Sequence, residues 1–163
     1  MAEFLFFGRR WELTKARRRD AVYVGGHVRR ADWLEVAASG QCSPVAAALS
    51  SLDGSLCSFA VRCDGAPVAV FGVARGTLLS DEFACWMLAS EELEECGTAF
   101  ARYSRRAVAA LAERYPVMRN YVGVWNVRTL RWLRWCGFEV SPPRRLGVHG
   151  ELLHPVVYRR KEG

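Results

Sequence analysis

The chain has 163 residues, of which 51% are apolar and 25% charged, and its formal net charge is +6 at pH 7. A chain of this length buries one substantial core, so we expect a single domain over residues 1–163, with 1–10 as a flexible or edge segment. Residues 4–7 form too short an apolar run for a signal peptide, and no run reaches the roughly 18 residues of a membrane span. We therefore expect a soluble protein with no membrane partner.

The six cysteines raise the question of disulfides or a bound metal. They contain no C-x-x-C pair, and most stand inside apolar segments. Cys57 and Cys63 recur at the period of a β-strand, a pattern that predicts thiols facing a core. The spacing favours buried free thiols over a metal site, and we predict no metal.

The amino-terminal third is predicted to begin with a strand at residues 11–16 and to continue with helical segments. Asp20 has the side chain of a helix cap, and Gly25-Gly26 is expected to interrupt the helix that follows. Residues 27–38 carry small and apolar side chains at helical spacing. Ser43-Pro44 has the chemistry of a further helix start, because proline fits the first turn.

The middle of the chain is predicted to form an antiparallel meander. Residues 56–63 and 67–73 are typical of two strands, and Asp64-Gly65 between them supplies the positive φ angles of a tight turn. A third strand is predicted at residues 83–88. The longest helix is predicted to follow, over residues 97–115.

The carboxyl-terminal part is predicted to be strand, helix and two strands. Residues 121–125 are mostly aromatic or β-branched, which favours a strand covered on both faces. Asn126 stands where a helix cap is needed, and Gly137 can adopt the left-handed conformation that ends the helix. We expect residues 142–145 to be a loop and residues 152–159 to be the last strand.

This order of elements resembles the GNAT N-acetyltransferase fold over most of the chain, from Trp11 to Arg159. The segment from Asn126 to Phe138, with its asparagine at the turn and its closing Gly-Phe, is the part that resembles it most. The resemblance implies an α/β (α+β) fold with a mixed, mostly antiparallel central sheet and helices on both faces. It also implies that the fourth and fifth strands, at 83–88 and 121–125, splay apart and leave a slot for acetyl-CoA.

Four short segments resemble a smaller GNAT-like group found in tailed phages and prophages, which is related to an internal virion protein of head morphogenesis. The segments are residues 29–35, 65–72, 85–90 and 119–126. This likeness implies a protein of the bacterial host cytoplasm or one associated with the virion. It also implies a phage or host protein as the partner.

The GNAT resemblance implies a set of cofactor-binding residues. The family holds the CoA diphosphate on helix amides behind an Arg or Gln, two free positions, a Gly, one free position and a Gly or Ala. Gly97, Thr98 and Ala99 match the small residues, and Glu94 stands at the Arg/Gln position. Glu94 belongs to a run of acidic residues. These carboxylates either repel the diphosphate or form an ordinary solvated helix start. The other implied contacts are the backbone of Leu88, Ala89 and Ser90 at the thioester carbonyl and Asn126 at the pantetheine arm.

Catalytic candidates follow from the demands of acetyl transfer. The attacking amine must lose a proton, and Glu35 and Glu82 are the predicted carboxylates for that role. The family protonates the leaving thiolate with a Tyr, whose position is Leu133 in this chain. Substitutes for this acid are Tyr103, Tyr121 and Cys136.

Two functions of different class remain. The first is a GNAT-like N-acetyltransferase that transfers acetyl from acetyl-CoA to an unidentified amine, on a small molecule or a protein. The second is a catalytically inactive GNAT-fold protein of phages or prophages that binds another protein through a face containing Trp132 and Trp135. Arg128, Arg131 and Arg134 on the same helix favour nucleic acid less than a protein partner, and a homodimer is compatible with either function.

Overall fold

The computed structural model describes residues 2–76 and 81–161, and over these residues the chain forms one sheet with helices on both faces. The strands in chain order are β1 (Ala2–Phe6), β2 (Arg9–Lys15), β3 (Ser55–Cys63), β4 (Ala66–Arg75), β5 (Phe83–Ala89), β6 (Val117–Gly123), β7 (Glu139–Val140), β8 (Arg144–Arg145) and β9 (Leu152–Arg159). The helices are α1 (Arg18–Gly26), α2 (Arg30–Ala38), α3 (Pro44–Asp53), α4 (Glu92–Arg114) and α5 (Val127–Cys136). The predicted fold class is confirmed.

The strand order is β1-β2-β3-β4-β5-β6-β9-β7, with β8 also paired to β9, and every neighbouring pair but one is antiparallel. The exception is the parallel pair β5 and β6. Their register contains two residue pairs, Phe83 with Met118 and Ala84 with Arg119, after which the two strands diverge. The predicted splay between these strands is therefore present.

The strand β6 lies earlier in the chain than predicted. It runs from Val117 to Gly123 rather than over residues 121–125, because Pro116 ends the preceding helix and the sheet pairing with β9 starts directly after it. Tyr121 is 53% exposed, so this strand is not covered on both faces along its whole length. Trp125 lies in the turn between β6 and α5, where its indole N–H donates to the carbonyl oxygen of Ala31 at 3.1 Å.

Side chains of the central strands alternate between two cores. Ala60, Val70 and Leu88 face the side where α1 and α3 pack. Val61 and Ala69 face the opposite side, beneath the first half of α4. Both faces of the second half of β3 are therefore covered, and Ala60 and Val61 are buried on opposite sides.

The predicted helix starts are partly correct. Ser43 caps α3, and its hydroxyl accepts from the Ala46 amide at 3.1 Å. Asp20 does not cap α1: the cap position is Arg17, and Asp20 lies in the first turn, where it accepts from the Arg17 amide at 2.9 Å. Asp20 also accepts from Arg62 Nη2 at 2.6 Å, and this buried ion pair fixes α1 to β3. The local sequence pattern assigned the Asp20 carboxylate to helix capping, but in the structure it pairs with Arg62 of β3.

The later helices add two corrections. α4 begins at Glu92, before the predicted start, but Cys96 has non-helical angles (φ −123°, ψ 17°) and a second helical segment begins at Gly97. α5 ends as predicted, with Gly137 in the left-handed conformation at φ 105°. The predicted loop at 142–145 is wrong at Arg144–Arg145, which form β8 because the last strand offers them backbone partners.

A close approach of two helices explains one glycine. A Cβ at Gly25 would lie 2.7 Å from Val45 Cα and 3.0 Å from the Pro44 carbonyl oxygen, both backbone atoms of α3. We predict that Gly25→Ala lowers the free energy of unfolding by about 1–3 kcal/mol, because the two helices must separate. Urea denaturation measures this loss.

The neighbouring glycine provides a matched control. A Cβ at Gly26 meets no atom within 4 Å among the described residues. Gly26→Ala should therefore leave stability unchanged or raise it slightly, because alanine restricts the unfolded chain. Equal losses in both variants would contradict the close approach at Gly25.

Candidate functional site

A cluster of polar side chains lies where β5 and β6 diverge. It combines residues at and near the start of α2 (Arg29, Asp32 and Glu35) with residues at the start of α5 (Asn126 and Thr129). Arg29, Asp32, Asn126 and Thr129 are between 3% and 9% exposed. Buried polar groups of this kind are stable only when they are hydrogen-bonded to one another.

Arg29 and Asp32 form the centre of the cluster. Arg29 Nε donates to Asp32 Oδ2 at 3.1 Å, and Arg29 Nη2 donates to Asp32 Oδ1 at 2.8 Å. Nη2 also reaches Thr129 Oγ1 at 3.3 Å. The two parallel bonds fix the guanidinium against the carboxylate, and removal of either partner would leave a buried charge uncompensated.

The same ion pair binds the end of β5. Asp32 Oδ2 accepts from the Ala89 amide at 3.0 Å, and the Arg29 amide donates to the Ala89 carbonyl oxygen at 2.9 Å. The Ser90 amide donates to the Val68 carbonyl oxygen at 2.9 Å. The backbone that the family resemblance assigned to the thioester carbonyl is thus already engaged at Ala89 and Ser90.

Glu35 is the titratable group of the cluster with the most unusual environment. Its Oε1 accepts from the Gly123 amide at 3.0 Å and from Asn126 Nδ2 at 2.9 Å. Burial, with a smaller contribution from the nearby Asp32 carboxylate, raises the pKa of Glu35 to about 7, although its hydrogen bonds and Arg29 act in the opposite direction. A carboxyl with this pKa exchanges a proton near neutral pH, as a general base must.

Asn126 occupies the cap position of α5, but its side chain does not cap the helix. The amide nitrogen donates to Glu35 instead and lies 3.5 Å from Asp32 Oδ1. A carboxylate left without a donor in this cluster would cost more free energy than a helix amide without a side-chain cap, because other groups can satisfy the amide. The Asn126 side chain therefore bonds to the carboxylates. Of the two predicted roles for Asn126, the structure excludes side-chain capping and leaves open the contact with a ligand.

Glu82 lies apart from the cluster. It accepts from Arg119 Nη2 at 2.6 Å, and this hydrogen bond lowers the pKa of Glu82 below its usual range. It precedes β5 at the end where β5 and β6 still pair, and the seven residues of β5 span about 20 Å. The structure therefore does not bring Glu82 together with Glu35.

A cavity of about 480 Å³ opens beside the cluster. Arg29, Asp32 and Glu35 line one part of it, and the rest of its wall is mainly apolar. Tyr103 also lines this cavity. A carboxylate that titrates near neutral pH therefore faces a space large enough for a ligand.

The other acid candidates lie elsewhere. Leu133, at the family's Tyr position, lines the same cavity but is an apolar side chain, 7% exposed, in the core under α5. Tyr121 is exposed on β6. Cys136 is buried with its Sγ 3.7 Å from Ser104 Oγ, and burial raises the pKa of its thiol. Of the three predicted substitutes, Tyr103 is the one that lines the cavity with Glu35.

A second pocket of about 340 Å³ lies between the first turns of α4 and α5. Gly97 and Thr98 line it, and a Cβ at Gly97 would meet no atom within 4 Å among the described residues. Ala99 does not line it and is 4% exposed in the core beneath α4. Glu94 lines the pocket too, and its Oε1 lies 3.9 Å from Arg128 Nη1.

Sequence reasoning missed two basic residues of this site. Arg128 lines the second pocket, whereas its three-residue spacing with Arg131 and Arg134 indicated only a basic helix face. Arg29 lines both cavities and had been noted only as part of a resembling segment. The position of Arg128 at the start of α5 was the signal in the sequence that could have indicated its place in the pocket. A cation there lies beside the part of α4 that carries Gly97 and Thr98.

Six cysteines are present as free thiols, in environments that range from exposed Cys42 to buried Cys63 and Cys136. Over residues 2–76 and 81–161, no group of three or more His, Cys, Asp or Glu side chains could hold a metal ion. In the same part of the chain, no helix is long and apolar enough to cross a membrane.

No protein-family model and no curated protein matches this chain. Several solved structures, by contrast, are similar to it. A Salmonella typhimurium protein described as an acetyltransferase and solved with acetyl-CoA has a TM-score of 0.71 and 14% identity, covering 94% of this chain and 95% of that one. A Vibrio cholerae spermidine N-acetyltransferase chimera has a TM-score of 0.67 and 10% identity, covering 91% and 95%.

A third similar structure is the ribosomal-protein-S5-alanine acetyltransferase from Vibrio fischeri, with a TM-score of 0.66 and 10% identity over 99% of this chain and 98% of that one. All three likenesses extend over nearly the whole of both chains. This chain therefore has the GNAT fold.

The buried Glu35 makes stability depend on pH. Because the pKa of Glu35 is about 7 in the folded chain and 4.5 in an ordinary glutamate, the folded state binds the proton more tightly. Stability from this residue is greatest below pH 4.5 and is lost as the pH rises to about 7, a total on the order of 3 kcal/mol. We predict that Glu35→Gln is more stable than the parent at pH 8 and equal to it at pH 4.5.

Urea denaturation of both proteins across this pH range measures the difference. Glu139→Gln is the control, since Glu139 is an exposed carboxylate on β7. A parent and a Glu35→Gln variant with parallel stability profiles would contradict the raised pKa.

Proposed function

We propose that the protein is an N-acetyltransferase that transfers the acetyl group of acetyl-CoA to an amine. The position of Glu35 carries the proposal: a partly buried carboxyl with a pKa of about 7 lines a ligand-sized cavity at the point where β5 and β6 separate. Structures of the same fold include one solved with acetyl-CoA and others described as amine acetyltransferases, which supports the reaction class.

In the proposed reaction, Glu35 accepts a proton from the ammonium form of the acceptor, directly or through one water molecule. The neutral nitrogen attacks the thioester carbonyl carbon. This attack forms the C–N bond, and the tetrahedral intermediate then collapses with loss of the C–S bond and of the second proton on the nitrogen. The departing sulfur takes up that second proton through water and leaves as the free thiol.

The second pocket is the proposed site of the CoA diphosphate. Because Cys96 breaks the helical angles, a helical segment begins at Gly97, and amides at such a start attract an anion. Arg128 adds positive charge, and Glu94 opposes it from the other wall. The pocket thus combines the amides and space that a diphosphate needs with one carboxylate that weakens its binding.

The acceptor is proposed to be a primary amine on a small molecule or on a protein. Two proteins of similar structure are described as acting on spermidine and on an alanine of ribosomal protein S5. These amines share a protonated nitrogen that must lose its proton before attack, which is the role given to Glu35. We place the reaction in the bacterial cytoplasm, where acetyl-CoA is available.

Two features of the site favour the second candidate function, a catalytically inactive binding protein. The Ala89 backbone is bound to Arg29 and Asp32, and the family's acid position is the buried Leu133, so the same fold can exist without the chemistry. In that case the chain is a binding protein of a phage, prophage or virion, as its resembling segments suggest. Trp135 is 47% exposed with Arg105 5.5 Å from its ring, whereas Trp132 points inward and donates to Ser104. The docking face would therefore centre on Trp135 alone.

Calorimetric titration with CoA and acetyl-CoA, followed by a thiol-release assay on a panel of amines, distinguishes the two functions. We expect kcat/KM to rise with pH through about 7, because Glu35 must be ionised to accept the proton. Glu35→Gln should lower kcat by about 10²–10⁴-fold and leave acetyl-CoA affinity unchanged. Absence of binding at millimolar ligand would overturn the enzymatic function.

The diphosphate site has its own test. Glu94→Gln removes the carboxylate that faces the second pocket, so CoA should bind about twofold to fivefold more tightly, as expected for an exposed charge. Glu95→Gln is the matched control, since Glu95 is also exposed in the first turn of α4 but does not line the pocket. An equal change in both variants would mean that the diphosphate binds elsewhere.

A further inference from the structure

The 480 Å³ cavity is larger than an acetyl group requires. It extends from the cluster around Glu35 into the space between the inner face of α4 and the sheet. Its sheet-side wall includes one apolar residue from each of five strands: Leu13, Val61, Phe71, Met87 and Met118. The volume lies within the range of sites that hold whole small molecules, about 300–1,000 Å³.

The sequence of α4 explains why this space is not filled. Ser104 and Ala107 stand on its inner face, between the aromatic residues at 100 and 103 and Leu111. Side chains of this size do not reach the sheet, so a gap remains where larger residues would form a continuous core. The gap is a property of the residues that α4 presents.

The polar groups of Ser104 do not make this gap a water site. Its hydroxyl donates to the Ala101 carbonyl oxygen at 2.9 Å and accepts from Trp132 Nε1 at 2.7 Å. Because these partners already satisfy the hydroxyl, the middle of the cavity presents apolar surface to an occupant. Apolar cavities of this kind favour hydrocarbon over water.

The first hairpin closes the far side of the cavity. Phe4 of β1 and Trp11 of β2 line it, and the Phe4 ring centroid lies 3.8 Å from that of Tyr103 on α4. The space therefore has a polar part at Arg29, Asp32 and Glu35 and an apolar part that ends under aromatic rings. The wall is charged around Glu35 and mainly apolar beneath α4, although Glu12 and Arg106 also line the cavity.

We propose that this cavity binds a medium-chain acyl group, with the carbonyl carbon near Glu35 and the hydrocarbon chain beneath α4. A chain of about six to ten carbons is the expected size for a site of this volume. The proposal rests on the proposed function when the acyl group arrives as a CoA thioester. A free fatty acid is the other source of the same chemistry.

With the thioester, the reaction is the same transfer with a longer acyl group. The acceptor nitrogen loses one proton to Glu35 and forms the amide bond to the acyl carbon. The C–S bond breaks, and the second nitrogen proton passes through water to the sulfur, which leaves as the thiol. No oxidant or further reactant is needed. The cavity would thus determine which donor the protein prefers.

The test compares CoA, acetyl-CoA, hexanoyl-CoA, octanoyl-CoA and decanoyl-CoA by calorimetry in the parent chain and in Ala107→Phe. Each added methylene that enters the cavity should tighten binding by up to about fourfold until the cavity is full. Ala107→Phe fills the gap and should abolish this dependence while acetyl-CoA still binds. Ala110→Phe, on the exposed side of the same helix, should behave as the parent.

The outcomes separate this proposal from the proposed function. Equal affinity of all thioesters in the parent would overturn the acyl site and leave acetyl transfer intact. If CoA and its thioesters do not bind at all, the proposed function fails, and octanoate and decanoate are titrated by tryptophan fluorescence. Saturable binding that Ala107→Phe abolishes supports the acyl site, and no binding overturns it.

A folding control completes the test. If the cavity is present, Ala107→Phe should retain or raise the melting temperature, because the new ring occupies empty space. A variant that fails to fold is replaced by Ala107→Leu, which fills less of the cavity and should shorten the preferred chain. An unchanged chain-length preference in the folded variant would overturn the proposal.

Discussion

The ion pair between Arg29 and Asp32 is the interaction on which the rest of the site depends. Where β5 and β6 separate, the sheet loses its ladder and leaves backbone groups without strand partners. Arg29 and Asp32 supply those partners at Ala89, and in doing so they fix the start of α2 against the sheet. Because Glu35 follows Asp32 by one helical turn, the same contact also determines where Glu35 lies.

The chemistry of Glu35 follows from this placement. Burial and the Asp32 carboxylate oppose its ionisation, whereas Asn126 and the Gly123 amide stabilise the anion. The two effects do not cancel, since loss of hydration is the largest of them. The groups that hold the carboxylate come from β6 and α5, so the divergence of the strands and the properties of the carboxyl group have one origin.

Features with a local cause could be predicted from the sequence. Ser43 caps its helix and Gly137 ends its helix because neighbouring backbone geometry decides both. Asp20 and Asn126 were predicted as caps by the same reasoning, yet each bonds to a residue from another element. Short polar side chains have several satisfactory partners, and the tertiary structure selects among them. The role of Arg128 depended on a pocket between two helices, which no local pattern contains.

If the proposed thioester binds with its carbonyl at Ala89, the contact between Asp32 and Ala89 competes with it. The carbonyl oxygen can then use the Ala89 amide only in molecules where the carboxylate has moved away, and the bonds from Arg29 oppose that movement. The apparent dissociation constant is then the intrinsic value divided by the fraction of open molecules. Weak binding would in that case reflect a rare conformation rather than a poor fit, and substitutions that favour the open form would increase affinity without adding a contact to the ligand.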